Sequence, residues 1–364
     1  MIHLTGTIVH RGGIAPEAWI VDGAITYVKP EGAITATTVR GFAMPGLLDV
    51  HCHIGLGADI LVDRETALQQ AADVVASGVT HVRDLGTPGD MSWIDLEPGV
   101  PRIIHCGRHI ARPMRYLRGI AREIEPAELP GVVVDEAAKA DGWVKLVGDW
   151  IDRSKGADSD LEPLWPREIL MDAVQAAHEA GAKVAVHTFA TETIDDLLEA
   201  GVDDIEHGTG MSPDQMIEVA KRGILVTPTA NQVETFIDIA NQAGAKYPVY
   251  GKRMRHMYEN RKEHMAAMAD AGISLLMGSD AGSTLSYGTL PSEIIACIDA
   301  GIPADTAIAA ASWEGRARLG LAALEEGSLA DVVVYADDPR SNPELLNSPH
   351  AVVLGGRLVS DATE

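Results

Sequence analysis

The sequence predicts a (β/α)₈ barrel carrying a small β-domain built from both chain ends, on three observations. Between Pro45 and Gly278, eight short apolar, β-rich runs alternate with alanine-rich helical patterns. Several of those helical patterns stop at a glycine, where a helix C-terminus favours a left-handed residue. The segments outside this region read as short strands and turns, with no helical period.

Residues 5–10, 18–23 and 24–28 are the first strand-like runs. The run ending at His51 follows, then residues 78–84, 101–106, 142–147, 182–187, 202–207, 223–227 and 273–278. Helical patterns cover 64–77, 167–180, 192–200 and 213–222, and Gly78, Gly181, Gly201, Gly223 and Gly272 stand at the stops. Ser212 before Pro213 reads as an N-cap with proline at the first helical position. After the last helix, 327–335 and 351–359 are strands again. Residues 1–42 and 327–364 are therefore expected to pair into one small β-sandwich-like domain, and 43–326 to form the barrel. A doubly wound sheet is the rival, but it usually has fewer units and would leave the candidate ligands on distant strands.

Composition narrows the function. The 364 residues are 46% hydrophobic, enough for a barrel and a minor domain. No N-terminal apolar run with a basic flank and no 18-residue apolar stretch occurs, so neither a signal peptide nor a membrane span is expected. Cys52, Cys106 and Cys297 form no CxxC pair and fit a reducing cytoplasm as buried small hydrophobes. A net charge of −24 argues against nucleic acid and anionic membranes as partners. A small-molecule substrate and a homo-oligomeric cytoplasmic protein are the expectations.

Pro45-Gly46-Leu47-Leu48-Asp49-Val50-His51-Cys52-His53 is the most informative stretch. Alternate residues of a strand face the same way, so His51 and His53 can present two imidazoles to one point. Later runs end in or near Lys145, His187, His207 and Asp280. Four histidines, an aspartate and a lysine at successive strand ends suggest a two-metal hydrolase. No Gly-rich phosphate loop competes, since Gly12-Gly13 and Gly355-Gly356 read as β-turns.

These motifs resemble the amidohydrolase superfamily, in its imidazolonepropionase-like branch that includes bacterial Xaa-Pro dipeptidases (prolidases). The likeness spans nearly the whole chain through the His51 stretch, Gly78-Val79-Thr80 with Arg83-Asp84, Ile205-Glu206-His207-Gly208, Gly278-Ser279-Asp280-Ala281-Gly282 and Gly327-Ser328-Leu329-Ala330-Asp331. It implies His51, His53 and Asp280 on a first, more buried metal and His187 and His207 on a second. Two divalent ions need an anionic bridge. Lys145 carboxylated by CO2 to a carbamate is the bridge the resemblance implies; a salt-bridged or substrate-binding lysine is the alternative. Zinc is the expected metal, although imidazole and carboxylate suit manganese and cobalt as well. A metal-bridging hydroxide would attack the carbonyl of a dipeptide, N-acyl amino acid, lactam or carbamate, with Asp280 as general base and acid. A mononuclear imidazolonepropionase- or deaminase-type hydrolase and a non-catalytic structural homologue are the alternatives.

Substrate contacts are expected from the loop after the third strand, residues 107–122. It holds His109, Arg112, Arg115, Tyr116, Arg118 and Arg122, a basic cluster suited either to a substrate carboxylate or to surface carboxylates. Here the chain departs from its dipeptidase relatives, which resemble Gly-Gly-His-Gly where this sequence has Met114-Arg115-Tyr116-Leu117. It also has Phe189 where those relatives tend to carry tyrosine, and Tyr287-Gly288 where histidine-glycine is usual. Tyr287 joins the candidate substrate residues. His178, His256 and His264 sit in helical patterns and read as surface or packing residues.

Overall fold

The protein is described by a computed structural model covering residues 1–57, 61–282 and 284–361. Eight parallel strands form the barrel: Leu47–Cys52, Val79–Asp84, Arg102–His105, Trp143–Val147, Lys183–Thr188, Asp204–His207, Leu225–Thr227 and Ser274–Leu275. All eight sequence runs are there. The ring closes between the last strand and the first, where Val50 N donates to Met277 O at 3.0 Å and His53 N to Ala281 O at 2.9 Å. Between the third and fourth strands, Asp141 N donates to His105 O, and Ile110 pairs with Leu146.

Helices follow the strands and bury their apolar stripes on the outside of the barrel. Pro213–Arg222 shows why they start and stop: the Ser212 hydroxyl accepts from Gln215 N, the Gln215 side chain returns to Ser212 N, and Gly223 closes the helix at φ 70°. The eighth strand is shorter than its sequence run. Its continuation lies so close to the first strand that a Cβ on Gly278 would stand 2.5 Å from His51 Cβ. Only glycine admits that approach, which brings Asp280 to the histidines.

Both chain ends meet in one sheet, in the order Arg357–Asp361, Ala351–Leu354, Val332–Tyr335, Thr37–Pro45, Ile2–His10, Gly13–Val21, Ala24–Thr26. Among the described residues this is a single seven-stranded sheet, in place of the two stacked layers a sandwich would have. It curls because the register shifts between Thr5 and Ile8, around Gly6 at φ 119°, and its edge strand Ala24–Thr26 reaches the segment leading into Val332–Tyr335, where Ala24 bridges Leu329. Leu4, Ile8, Ile20, Ile25, Val332 and Val334 fill the curl. Thr37–Pro45 runs straight into the first barrel strand, and buried Arg316 fixes the junction by donating to Gly46 O at 2.9 Å.

Candidate metal centre

His51, His53, His187 and His207 stand at or just beyond the C-terminal ends of their barrel strands, Asp280 follows the last strand, and Lys145 lies within Trp143–Val147. The ligand atoms of His51, His207 and Asp280 lie within 4.8 Å of one another, a group able to hold a metal ion. Asp280 Oδ1 is 3.1 Å from His51 Nε2 and 3.5 Å from His53 Nε2. On the other flank, His187 Nδ1 is 2.9 Å from His207 Nε2. Lys145 is buried, and its Nζ has no hydrogen-bond partner among the described residues; nor has His187 Nε2. Such orphaned polar atoms, gathered with nitrogen and carboxylate donors, fit divalent cations.

The outer nitrogens of two imidazoles are hydrogen-bonded and that of a third stands beside a carboxylate, which turns their Nε2 atoms inward. His53 Nδ1 donates to Gly86 O at 2.7 Å. His51 Nδ1 stands 2.8 Å from Glu206 Oε2. His207 Nδ1 is 2.6 Å from Thr229 Oγ1, whose own proton goes to Pro228 O at 2.8 Å. The hydroxyl therefore accepts from His207, leaving Nε2 unprotonated with its lone pair turned towards His187 Nδ1. Outer partners of this kind fix the tautomer and orientation of metal-ligating histidines. His207, Thr229 and Asp280 have φ of 69°, 49° and 52°, a left-handed backbone uncommon outside glycine. Strain of roughly 1–3 kcal/mol per residue is typical there and clusters at functional sites.

Beneath the centre lies a fully buried charged layer. Arg83 donates to Val50 O at 2.8 Å, Asp204 Oδ2 at 2.6 Å and Glu206 Oε1 at 2.8 Å, with its guanidinium 4.4 Å over the Trp143 ring. Burial pushes the Asp204 carboxyl up, helped by the neighbouring Glu206 charge. At Glu206 burial acts the same way, but Lys145, His51 and Arg83 outweigh it and hold that carboxyl below its usual range. Asp49 accepts from Ser279 N at 2.9 Å and Ser279 Oγ at 2.6 Å, tying the first strand to the segment that carries Asp280. Burial drives Lys145 down, against Glu206 and Asp280. Burial would raise Asp280 too, yet His51 and its hydrogen bond hold it well below the usual carboxylate range. Sequence reading singled out the Arg83-Asp84 and Glu206 motifs without assigning these roles, because pairing across the barrel leaves no local signature.

A cavity of about 660 Å³ opens over the metal-ligand candidates. His109 and Tyr116 line it, as the sequence reading expected of substrate contacts. His109 is buried, with neither ring nitrogen partnered among the described residues. The arginines go elsewhere. Arg115 donates to Trp150 O at 2.9 Å and Glu162 O at 3.2 Å, and Arg112 lies 3.7 Å from Glu125; neither lines the cavity. Tyr287 Oη sits 2.7 Å from both His53 O and Leu56 O, bracing the loop after the first strand from outside the lining. Trp150, Phe189, Tyr247 and Tyr250 do line it; of these the sequence had drawn attention only to Phe189.

Fold and site together give a barrel scaffold with a histidine-rich centre at its strand ends. The chain belongs to the amidohydrolase family, whose family model matches residues 42–359. The uncharacterized protein Rv2915c of Mycobacterium tuberculosis (strain ATCC 25618 / H37Rv) is 42% identical over 344 residues, 94% of this chain and 92% of that protein. Mb2939c of Mycobacterium bovis, also an uncharacterized protein, matches to the same extent. Among solved structures, a Xaa-Pro dipeptidase with methionine bound in its active site has a TM-score of 0.84 at 22% identity, covering 99% of both chains. The A. niger ochratoxinase has a TM-score of 0.80 at 18% identity, covering 100% of this chain and 96% of that one. These likenesses show the shared barrel and β-domain.

Proposed function

We propose that this protein is a metal-dependent hydrolase of amide-type C–N bonds, with two divalent ions held by His51, His53, Lys145, His187, His207 and Asp280. The observation that carries this reading is Lys145: a buried amine with no partner, set among histidines and carboxylates. An isolated buried ammonium is costly, and burial favours the neutral amine here. Neutral amine could add to CO2, forming an N–C bond and releasing one proton, and the resulting carbamate would offer two oxygens sharing one negative charge as ligand atoms. Ions so held would supply Lewis-acid polarisation of the scissile carbonyl and of water.

The chain's own groups do the rest. Asp280 Oδ1, placed between His51 and His53, takes a proton as water adds to the carbonyl carbon. It returns that proton to the leaving nitrogen as the C–N bond breaks. Glu206 and Thr229 hold His51 and His207 in their orientations, and Gly86 O holds His53.

The tight trio of His51, His207 and Asp280 also favours a single-ion reading, as in imidazolonepropionase- or deaminase-type hydrolases. Metal analysis after reconstitution separates the two: saturation at two ions per chain is expected, and saturation at one selects the mononuclear form. A hydrolysis screen of dipeptides, N-acyl amino acids, lactams and carbamates follows. A fully loaded protein that cleaves none of them overturns the hydrolase reading.

A further inference from the structure

We propose that the site selects uncharged substrates carrying an aryl or similarly flat apolar group beside the scissile C–N bond, received by a wall of Tyr116 and Trp150. This deepens the hydrolase reading and rests on it. Aromatic residues make up only 4% of the chain, as 6 Trp, 7 Tyr and 3 Phe. Five of them, Tyr116, Trp150, Phe189, Tyr247 and Tyr250, line this one cavity. They come from four separate segments, with Trp150 on the strand Asp149–Ile151 and Tyr247 and Tyr250 together at the start of the helix Pro248–Glu259.

Their arrangement points at the reacting bond. Tyr116 and Trp150 pack edge to face at 4.8 Å between ring centroids, and the two rings stand 5.7 and 5.4 Å from His187. Phe189 closes on the same imidazole at 4.4 Å. A flat group laid on this wall would lie next to the metal-ligand candidates, in the offset or edge contacts that aromatic rings prefer.

Charge argues in the same direction. Of the described lining residues, Arg153 alone is a lysine or arginine, and it is exposed, while Asp238 and Asp280 supply negative charge. Arg115 does not line the cavity and instead holds Trp150 O and Glu162 O. The loop's positive charge thus positions the aromatic wall and leaves no buried carboxylate receptor among these residues.

The test uses the metal-reconstituted full chain with four matched compounds: N-benzylacetamide, N-methylacetamide, N-acetylphenylalanine and N-acetylglycine. Both kcat/KM and calorimetric binding are measured. We expect the benzyl compound to exceed the methyl compound about tenfold or more, as pockets discriminate between apolar groups of different size. Trp150→Ala and Tyr116→Ala should each shrink that ratio, while Trp150→Phe, which keeps a flat ring, retains it. Equal handling of benzyl and methyl compounds in the wild type overturns the proposal. So does a preference that follows the carboxylate and vanishes in Arg153→Met. A benzyl preference in binding without cleavage of any compound sinks the hydrolase reading and leaves the aryl wall standing. Cleavage without that preference does the reverse.

Discussion

The 2.6 Å contact between His207 Nδ1 and Thr229 Oγ1 decides which nitrogen of His207 faces the centre. Thr229 can do this because its left-handed backbone turns the hydroxyl inward just before the helix Ala230–Glu234. Thr229→Val keeps the shape and removes the acceptor. Metal affinity should fall about 10–100-fold, the usual effect of losing an outer-shell partner. Thr229→Ser should restore it, and competition with a chelating dye reads both.

Lys145→Met separates function from stability. It replaces an unpartnered buried amine with an apolar chain of similar length. The metal-free protein should gain about 1 kcal/mol or more in urea unfolding, since a buried polar group without a partner is destabilising. The metal-reconstituted variant should lose at least one ion per chain and roughly two orders of magnitude or more in kcat/KM. Lys145→Ala should behave likewise, with partial rescue by short carboxylic acids. A fully active Lys145→Met enzyme would sink the carbamate bridge.

Arg115→Met tests the structural use of the loop cation. Trp150 O and Glu162 O each lose a donor, so unfolding free energy should drop by about 1–3 kcal/mol. Discrimination between N-acetylphenylalanine and its neutral amide should not change. A selective loss on the carboxylated compound would restore Arg115 as a substrate anchor.

The barrel was legible because strand runs, glycine stops and the Ser212 cap are local signals. Five of the six metal-ligand candidates end or follow such a run, and Lys145 stands within one, which is why they drew attention. What the sequence hid are relationships across the barrel. Whether Arg115 meets a substrate or the Trp150 carbonyl depends on where residues 150 and 162 fold, which the loop's own composition does not encode. The same holds for Arg83 with Asp204 and Glu206, and for the left-handed turns at His207 and Asp280.

Glu293 carries a pH dependence away from the ligands. Its carboxylate accepts from Ala230 N and Asn231 N at the start of the helix that follows Thr229, and burial pushes its pKa up to about 7 from 4.5. Between those values the native state holds a proton that the unfolded chain has lost. Stability from this group is therefore full below pH 4.5 and declines as pH rises towards 7, by up to about 3 kcal/mol. Glu293→Gln should flatten that decline in unfolding titrations between pH 5 and 7.5. An unchanged slope would show the group does not titrate there.

The curled sheet also sets an order of events during synthesis. The edge of Thr37–Pro45 that Val332–Tyr335 will cover is made early, whereas its partner emerges only after the whole barrel has been translated. Until then the nascent chain presents an apolar strand edge, Phe42, Ala43 and Met44 included, with open backbone donors and acceptors. The last strands to leave the ribosome act as a clasp. A stall or truncation just before residue 332 would yield a chain with all six metal-ligand candidates and an adhesive flank, a natural target for chaperones.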